Sequence, residues 1–123
     1  MGQRILIVED EIVVALFMED MLTEFGYEVA GVISHVEEAL ARDTDYQMAV
    51  LDVHLNGRNV FDFADKLAAA GTPFVFATGY GMRGIPERFA SRPVLQKPFV
   101  PDDLKRALEA IGGPAAPPAA KPL

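Results

Sequence analysis

The chain has 123 residues, with 18 acidic against 11 basic residues, a formal net charge of −7 and no cysteine. This length fits one domain, and the hydrophobic fraction of 50% with 24% charged residues is typical of a folded globular protein. No apolar segment approaches the ~18 residues of a membrane span. The apolar stretch near the N-terminus is also too short for a signal peptide. The absence of cysteine excludes disulfides and thiolate metal sites, and the acidic balance argues against nucleic acid. We therefore expect a cytoplasmic domain that binds neither membrane nor nucleic acid.

The first part of the chain alternates between segments typical of strands and segments typical of helices. An almost wholly apolar segment at Arg4–Val8 predicts a strand covered on both faces. Apolar residues at helical spacing over 11–25 predict the first helix. A second strand is predicted at 27–33, and Ser34 with Glu37 resembles a capping box that would begin a second helix.

The alternation continues to the end of the apolar pattern. We predict a strand at 48–53, a turn at Asn56–Gly57, a helix at 60–70, strands at 74–77 and 93–96, and a helix from Pro101 to Ile111. The segment between the last two strands contains four residues that are unfavourable inside a helix: Gly79, Gly81, Gly84 and Pro86. We expect the fourth helix to be short or broken, with residues 87–91 as a possible turn.

Short apolar strands that alternate with amphipathic helices predict an α/β fold. We expect a doubly wound (βα)5 domain with a five-stranded parallel sheet and helices on both of its faces. This domain is predicted to span residues 1–111. Residues 112–123 hold four of the nine prolines and show no apolar period, which predicts an extended or disordered tail and no further folded domain.

Polar residues suited to chemistry lie in or directly after four of the five predicted strands. Glu9 and Asp10 follow the first strand, Asp52 lies in the third, Thr78 follows the fourth and Lys97 follows the fifth. Asp52 interrupts an apolar segment, where a charge is costly unless it has a use. Because ligands of doubly wound sheets gather at the carboxyl ends of the strands, these side chains are predicted to meet at one edge.

Charge repulsion indicates what such a cluster needs. Two carboxylates about 5 Å apart repel by ~3 kcal/mol at an effective dielectric constant near 20, so three of them require a counter-ion or raised pKa values. A divalent metal together with Lys97 would neutralise them, and oxygen-only ligands favour Mg²⁺. The cluster therefore predicts phosphoryl chemistry with Mg²⁺ and Asp52 as acceptor. Helix N-terminal acids are the alternative for Glu9, Asp10 and Glu11, but this alternative explains neither Asp52 nor Lys97.

These residues together resemble the motif of bacterial two-component receiver domains over residues 4–111. The matching pieces are Glu9–Asp10, Asp52, Thr78 and Lys97–Pro98, each at its strand end. The segment 76–80, FATGY, further resembles the single-domain receiver subgroup called FAT GUY. The resemblance implies the flavodoxin-like strand order 2-1-3-4-5. It also implies a stand-alone response regulator in a two-component or phosphorelay pathway.

The resemblance implies a role for each acidic residue. Asp52 would accept a phosphoryl group from the phosphohistidine of a histidine kinase or a histidine phosphotransfer protein. Asp10 would bind Mg²⁺ directly, Glu9 would bind it through water, and His54 would supply its main-chain carbonyl. The His54 side chain occupies a position where family members vary the residue that tunes the lifetime of the acyl phosphate.

The remaining roles concern the phosphoryl group and the switch. Lys97 would pair with Asp52 and then with a phosphoryl oxygen, and Thr78 would turn its hydroxyl to the phosphoryl group. The Lys97–Pro98 bond would be cis. Val94 stands where many receivers carry a switching Tyr or Phe, so the usual coupling cannot operate. We expect Tyr80, or ordering of the glycine-rich loop, to replace it.

An apolar part of the first helix indicates a partner surface. The core does not need all of Val13, Leu16 and Phe17, and in receivers this region docks on the kinase helices. Packing beneath a neighbouring loop is an equally weighted alternative.

The expected output is protein–protein contact, or service as a phosphate sink. The chain would not be an enzyme with turnover, although it would assist its own phosphorylation and dephosphorylation. Two other functions stay open: a degenerate receiver that serves only as an interaction module, and a flavodoxin-like cofactor binder. The acidic residues at 9–11 disfavour the second, because they stand where such a binder would need a phosphate-binding loop.

Overall fold

The computed structural model describes residues 3–80 and 83–112. Within these residues the elements are, in chain order, β1 (Arg4–Val8), α1 (Ile12–Glu24), β2 (Glu28–Ile33), α2 (Val36–Ala41), β3 (Met48–Asp52), β4 (His54–Leu55), β5 (Arg58–Asn59), α3 (Phe61–Ala70), β6 (Phe74–Thr78), a 3-10 helix (Glu87–Phe89), β7 (Val94–Gln96) and α4 (Pro101–Gly112).

The main sheet has five parallel strands in the order β2-β1-β3-β6-β7. Counted among the main-sheet strands alone, this is the order 2-1-3-4-5, so the predicted flavodoxin-like topology is confirmed. The strands β4 and β5 form a separate antiparallel hairpin just after β3. Its turn is the predicted one at Asn56–Gly57, where both residues have positive φ angles of 49° and 81°.

Each face of the main sheet is covered by its own hydrophobic core. Along β1, Leu6 and Val8 belong to the core beneath α2 and α3, whereas Ile5 and Ile7 belong to the core beneath α1 and α4. All four side chains are fully buried. This two-sided burial explains why β1 is an unbroken apolar segment.

The segment before β7 keeps its packing without a fourth long helix. Phe89 of the 3-10 helix is buried and lies 5.5 Å from the ring of Phe76 and 5.9 Å from that of Phe74. Arg88 holds the same turn to α3 through two hydrogen bonds to Asp65, at 2.9 and 3.0 Å. The expectation of a short fourth helix is thus confirmed for the described residues.

Two details of the sequence prediction differ from the structure. The capping box is wrong: α2 begins after His35, and Ser34 Oγ lies 3.1 Å from His35 Nδ1. The last helix includes Gly112, one residue beyond the predicted domain end. The rest of the predicted tail lies outside the described residues, as does Gly81. Among the described helices, none combines the length and apolar character that a membrane crossing needs.

Candidate functional site

Parallel pairing places the predicted residues at one edge of the main sheet. Asp52, the last residue of β3, pairs with Ala77 of β6. Thr78 ends β6 and pairs with Gln96, and its carbonyl accepts the N–H of Lys97 at 2.8 Å. The N–H of Glu9 continues the sheet by donating to the Ile33 carbonyl at 2.8 Å. The strand register alone therefore gathers these backbone positions at the carboxyl edge.

A partly buried ion pair connects the two ends of the chain at this edge. Lys97 Nζ donates to Glu9 Oε1 at 2.9 Å and lies 3.5 Å from Asp52 Oδ2. It also lies 3.5 Å from the exposed Glu11 Oε1. Burial opposes protonation of Lys97, but the bond to Glu9 and the charge of Asp52 raise its pKa above the ordinary value. The side chain is thus held as an ammonium group among carboxylates.

Asp52 has an environment that disfavours its negative charge. Its side chain is buried, and burial is the main reason that its pKa is raised to about 7. The charge of Glu9 raises the pKa further, whereas Lys97 acts in the opposite direction. A single ammonium group therefore does not compensate the carboxylates at this edge.

Asp10 has the opposite environment. Its Oδ2 accepts the main-chain N–H of Asn56 at 2.9 Å. Although burial acts to raise the pKa of Asp10, this hydrogen bond and the contact with Asp52 hold it below the ordinary value. Asp10 is thus an ionised carboxylate that faces a neighbour with a raised pKa.

The three carboxylates are close enough to share one cation. One oxygen from each of Glu9, Asp10 and Asp52 lies within 4.8 Å of the other two. Such a donor set of oxygen atoms alone suits Mg²⁺, which prefers carboxylates and retained water to nitrogen or sulfur. The residues present therefore fit the ion that the sequence analysis expected.

A cleft opens above Asp52. It has a volume of about 560 Å³, and its lining includes Asp52, Thr78 and Lys97 together with the exposed residues His54 and Tyr80. The Thr78 side chain is buried, and its Oγ1 accepts the N–H of Tyr80 at 3.2 Å. The rings of His54 and Tyr80 meet edge to face at 5.8 Å. The cleft is polar and has room for a phosphoryl group beside Asp52.

Two further predicted features lie in β7 or directly after it. The Lys97–Pro98 peptide bond is cis. Val94 of β7 is half-buried against the core beneath α2 and α3, outside the residues that line the cleft.

An apolar surface lies beside the cleft on α1. Val13, Leu16 and Phe17 are exposed by 79%, 56% and 48%, so the alternative that they pack beneath a loop is wrong. Phe17 also lines an apolar groove of about 310 Å³ together with Pro98 and Phe99.

Sequence reasoning missed two contacts of the site. The sequence shows Glu11 only as the third of three consecutive acids, and its approach to Lys97 depends on where α1 begins. The sequence predicts only a turn at Asn56, and the bond from its main-chain N–H to Asp10 joins positions 46 residues apart. The Asn-Gly pair predicts the turn but carries no signal for the partner of its amide.

The geometry agrees with the comparison to known families. Residues 5–109 match the response regulator receiver domain family. The chain belongs to this family. Receiver membership removes the flavodoxin-like cofactor binder as an alternative.

This receiver domain matches some relatives over part of their length and others over nearly all of it. The chain is 33% identical over 113 residues to the transcriptional regulatory protein PdtaR of Mycobacterium tuberculosis. This match covers 87% of the chain and 55% of PdtaR. The chain thus spans about half the length of this curated relative. The solution structure of SdrG from Sphingomonas melonis Fr1 is 44% identical with a TM-score of 0.80, over 89% of this chain and 95% of SdrG.

A third relative carries a ligand. The crystal structure of TrrA from Thermotoga maritima in complex with Mg²⁺-BeF is 26% identical, with a TM-score of 0.76. The match covers 88% of this receiver domain and 97% of TrrA.

Proposed function

We propose that this receiver domain accepts a phosphoryl group on Asp52 with the assistance of Mg²⁺. The observation that carries the proposal is the position of the Asp52 carboxylate. It is buried at the base of an open cleft, it lies 3.5 Å from Lys97 Nζ, and it shares a cluster with two further carboxylates. A carboxylate with a raised pKa retains nucleophilicity once a cation balances the charge around it.

Each residue of the cluster has a separate task. An oxygen of Asp52 attacks the phosphorus of a phosphohistidine; the new P–O bond forms as the P–N bond breaks, and the ring, which already carries a proton on its other nitrogen, leaves as neutral imidazole. Lys97 Nζ pairs with Asp52 and then with a phosphoryl oxygen. The Thr78 hydroxyl donates a hydrogen bond to a phosphoryl oxygen. Glu9, Asp10, Asp52 and the His54 carbonyl would hold the metal ion. Bound Mg²⁺ supplies charge neutralisation for the carboxylates and the phosphoryl group.

Incubation with acetyl phosphate and Mg²⁺ tests the proposal through intact-mass spectrometry. We expect the protein to gain the mass of one phosphoryl group, and we expect Asp52→Asn or removal of Mg²⁺ with EDTA to abolish the gain. Asp65→Asn is the matched control, because it removes an exposed carboxylate on α3 that bonds Arg88. An unmodified wild type would favour the degenerate receiver that serves only as an interaction module.

The partner proposal concerns the apolar surface of α1. We propose that Val13, Leu16 and Phe17 dock on the helices of a histidine kinase or a histidine phosphotransfer protein. Their support is their exposure beside the cleft, because a phosphohistidine on a docked helix must reach Asp52. A docked surface that excludes water between the phosphohistidine and Asp52 would also protect the phosphoryl group from hydrolysis during transfer.

Leu16→Glu separates docking from chemistry. The variant should slow phosphotransfer from a phosphorylated kinase or phosphotransfer protein, and it should leave labelling by acetyl phosphate unchanged. Val32→Glu provides the control, since Val32 is also apolar and 44% exposed but lies on the edge strand β2. Equal phosphotransfer to all three proteins would contradict the docking site.

The switch proposal concerns Tyr80 and the glycine-rich segment that follows it. When Thr78 turns its hydroxyl to a phosphoryl group, the bond from the Tyr80 N–H is lost and the contact with His54 is released. Val94 cannot supply the aromatic movement of other receivers. Amide exchange across residues 79–91 should therefore change when beryllofluoride and Mg²⁺ are added, and unchanged exchange would contradict this switch. The FATGY segment at 76–80 supports assignment to the FAT GUY subgroup.

A further inference from the structure

The β4–β5 hairpin reaches the acidic cluster through Asn56. The main-chain N–H of Asn56 donates to Asp10 Oδ2 at 2.9 Å. The side chain of the same residue donates from Nδ2 to the Ser34 carbonyl at 2.8 Å. Asn56 therefore connects the loop after β1 with the loop after β2, and neither bond belongs to the main sheet.

The conformation of the turn makes the main-chain N–H of Asn56 available to Asp10. Positive φ angles at both Asn56 and Gly57 define a two-residue hairpin turn of the primed type. The ladder pairs Leu55 with Arg58, so the two central residues stay outside it. Asn is one of the few residues with a side chain that adopts a positive φ at low cost. The same residue type thus permits the turn and supplies the bond to Ser34.

We propose that Asn56 is a positioning residue for the metal site, which holds the Asp10 carboxylate in its binding orientation. The inference rests on the proposed Mg²⁺ site. One oxygen of Asp10 accepts the main-chain N–H of Asn56, and the same carboxylate belongs to the cluster with Glu9 and Asp52. The bond to Ser34 fixes the hairpin that begins with His54, whose main-chain carbonyl is a proposed ligand.

Loss of this anchor should weaken metal binding more than it weakens the fold. A carboxylate without its hydrogen-bond donor samples more orientations, and residues that orient metal ligands typically contribute 10- to 100-fold to affinity. The main-chain N–H of residue 56 survives every substitution except proline, so the variants below loosen the anchor without deleting it. We therefore expect the lower end of this range, about tenfold.

Two substitutions at one position test the proposal. Asn56→Gly keeps the positive φ and removes only the bond to Ser34, whereas Asn56→Ala also strains the backbone. The dissociation constant of Mg²⁺, measured by isothermal titration calorimetry on the folded metal-free protein, should rise in both and about tenfold in Asn56→Ala. Asn59→Ala is the matched control: it lies on the same hairpin, and its Oδ1 accepts the Phe61 N–H at 3.1 Å. This control should lower the melting temperature and leave the dissociation constant unchanged.

The outcomes separate this inference from the proposed function. If the wild type binds Mg²⁺, Asp10→Asn loses binding and both Asn56 variants bind like the wild type, the positioning role is overturned while the metal site stands. If both variants lose only thermal stability, Asn56 is structural and the proposal is again overturned. A wild type that fails to bind Mg²⁺ overturns the metal site and this inference together. Because glycine tolerates the turn, Asn56→Gly provides the measurement if Asn56→Ala fails to fold.

Discussion

Substitution of the proposed acceptor should stabilise the metal-free protein. Asp52 is buried beside Glu9 and Asp10, and Lys97 balances only part of their charge. Asn has nearly the same size as Asp and carries no charge, so Asp52→Asn removes the repulsion without leaving a cavity. A residue kept for function against the stability of the fold should show this behaviour.

The raised pKa of Asp52 sets the magnitude. A carboxyl group with a pKa of about 7 in the folded protein, against an ordinary 3.8, binds protons more tightly when folded. The free energy of unfolding therefore falls as pH rises from about 4 to about 7, and the total loss is about 4 kcal/mol. Asp52→Asn does not suffer this loss, because the asparagine side chain does not ionise. Its gain in the free energy of unfolding should be about 4 kcal/mol at pH 8 and about 2 kcal/mol at pH 5.

Urea unfolding in EDTA at the two pH values measures this gain. Asp65→Asn is the control with the opposite sign, because the hydrogen bond from Arg88 lowers the pKa of the exposed Asp65. That variant should lose stability by a similar amount at pH 5 and pH 8, because Asp65 is ionised at both. A gain for Asp52→Asn that is equal at pH 5 and pH 8, or a loss at pH 8, would refute the reasoning.

Three further predictions concern the fold around the site. Phe89→Ala should lower the free energy of unfolding by about 3 to 5 kcal/mol in urea, because the ring fills the core in place of a longer helix; a loss below about 1 kcal/mol would show that the segment does not anchor the sheet. Lys97→Met should cost about 3 to 5 kcal/mol in EDTA, since it leaves Glu9 buried without its ammonium partner, and an unchanged melting temperature would contradict the ion pair. Gly71→Ala should cost about 1 to 2 kcal/mol, because Gly71 ends α3 with a φ of 76°; unchanged urea unfolding would contradict the required left-handed geometry.

The parts predictable from sequence are those set by pattern and register. Burial of β1 on both faces requires an unbroken apolar segment, and the same pattern in β3 makes Asp52 conspicuous as the exception. Because parallel strands end at one edge, the positions of Thr78 and Lys97 relative to Asp52 follow once the strand order is given.

The parts that failed or were missed depend on how loops meet. Ser34 does not cap α2, because the helix begins one residue later; its hydroxyl lies next to His35 and its carbonyl accepts the Asn56 side chain. The bond from Asn56 to Asp10 likewise depends on where the hairpin folds over the sheet edge. Neither contact has a local sequence period from which it could be inferred.

Chemical mapping of the phosphoryl group tests the central claim most directly. The protein is treated with acetyl phosphate and Mg²⁺, the acyl phosphate is reduced with borohydride to an alcohol, and the peptides are sequenced by tandem mass spectrometry. We expect a reduced side chain at Asp52 alone, and only when Mg²⁺ is present. Modification at Glu9 or Asp10 in place of Asp52, or none at all, would contradict it.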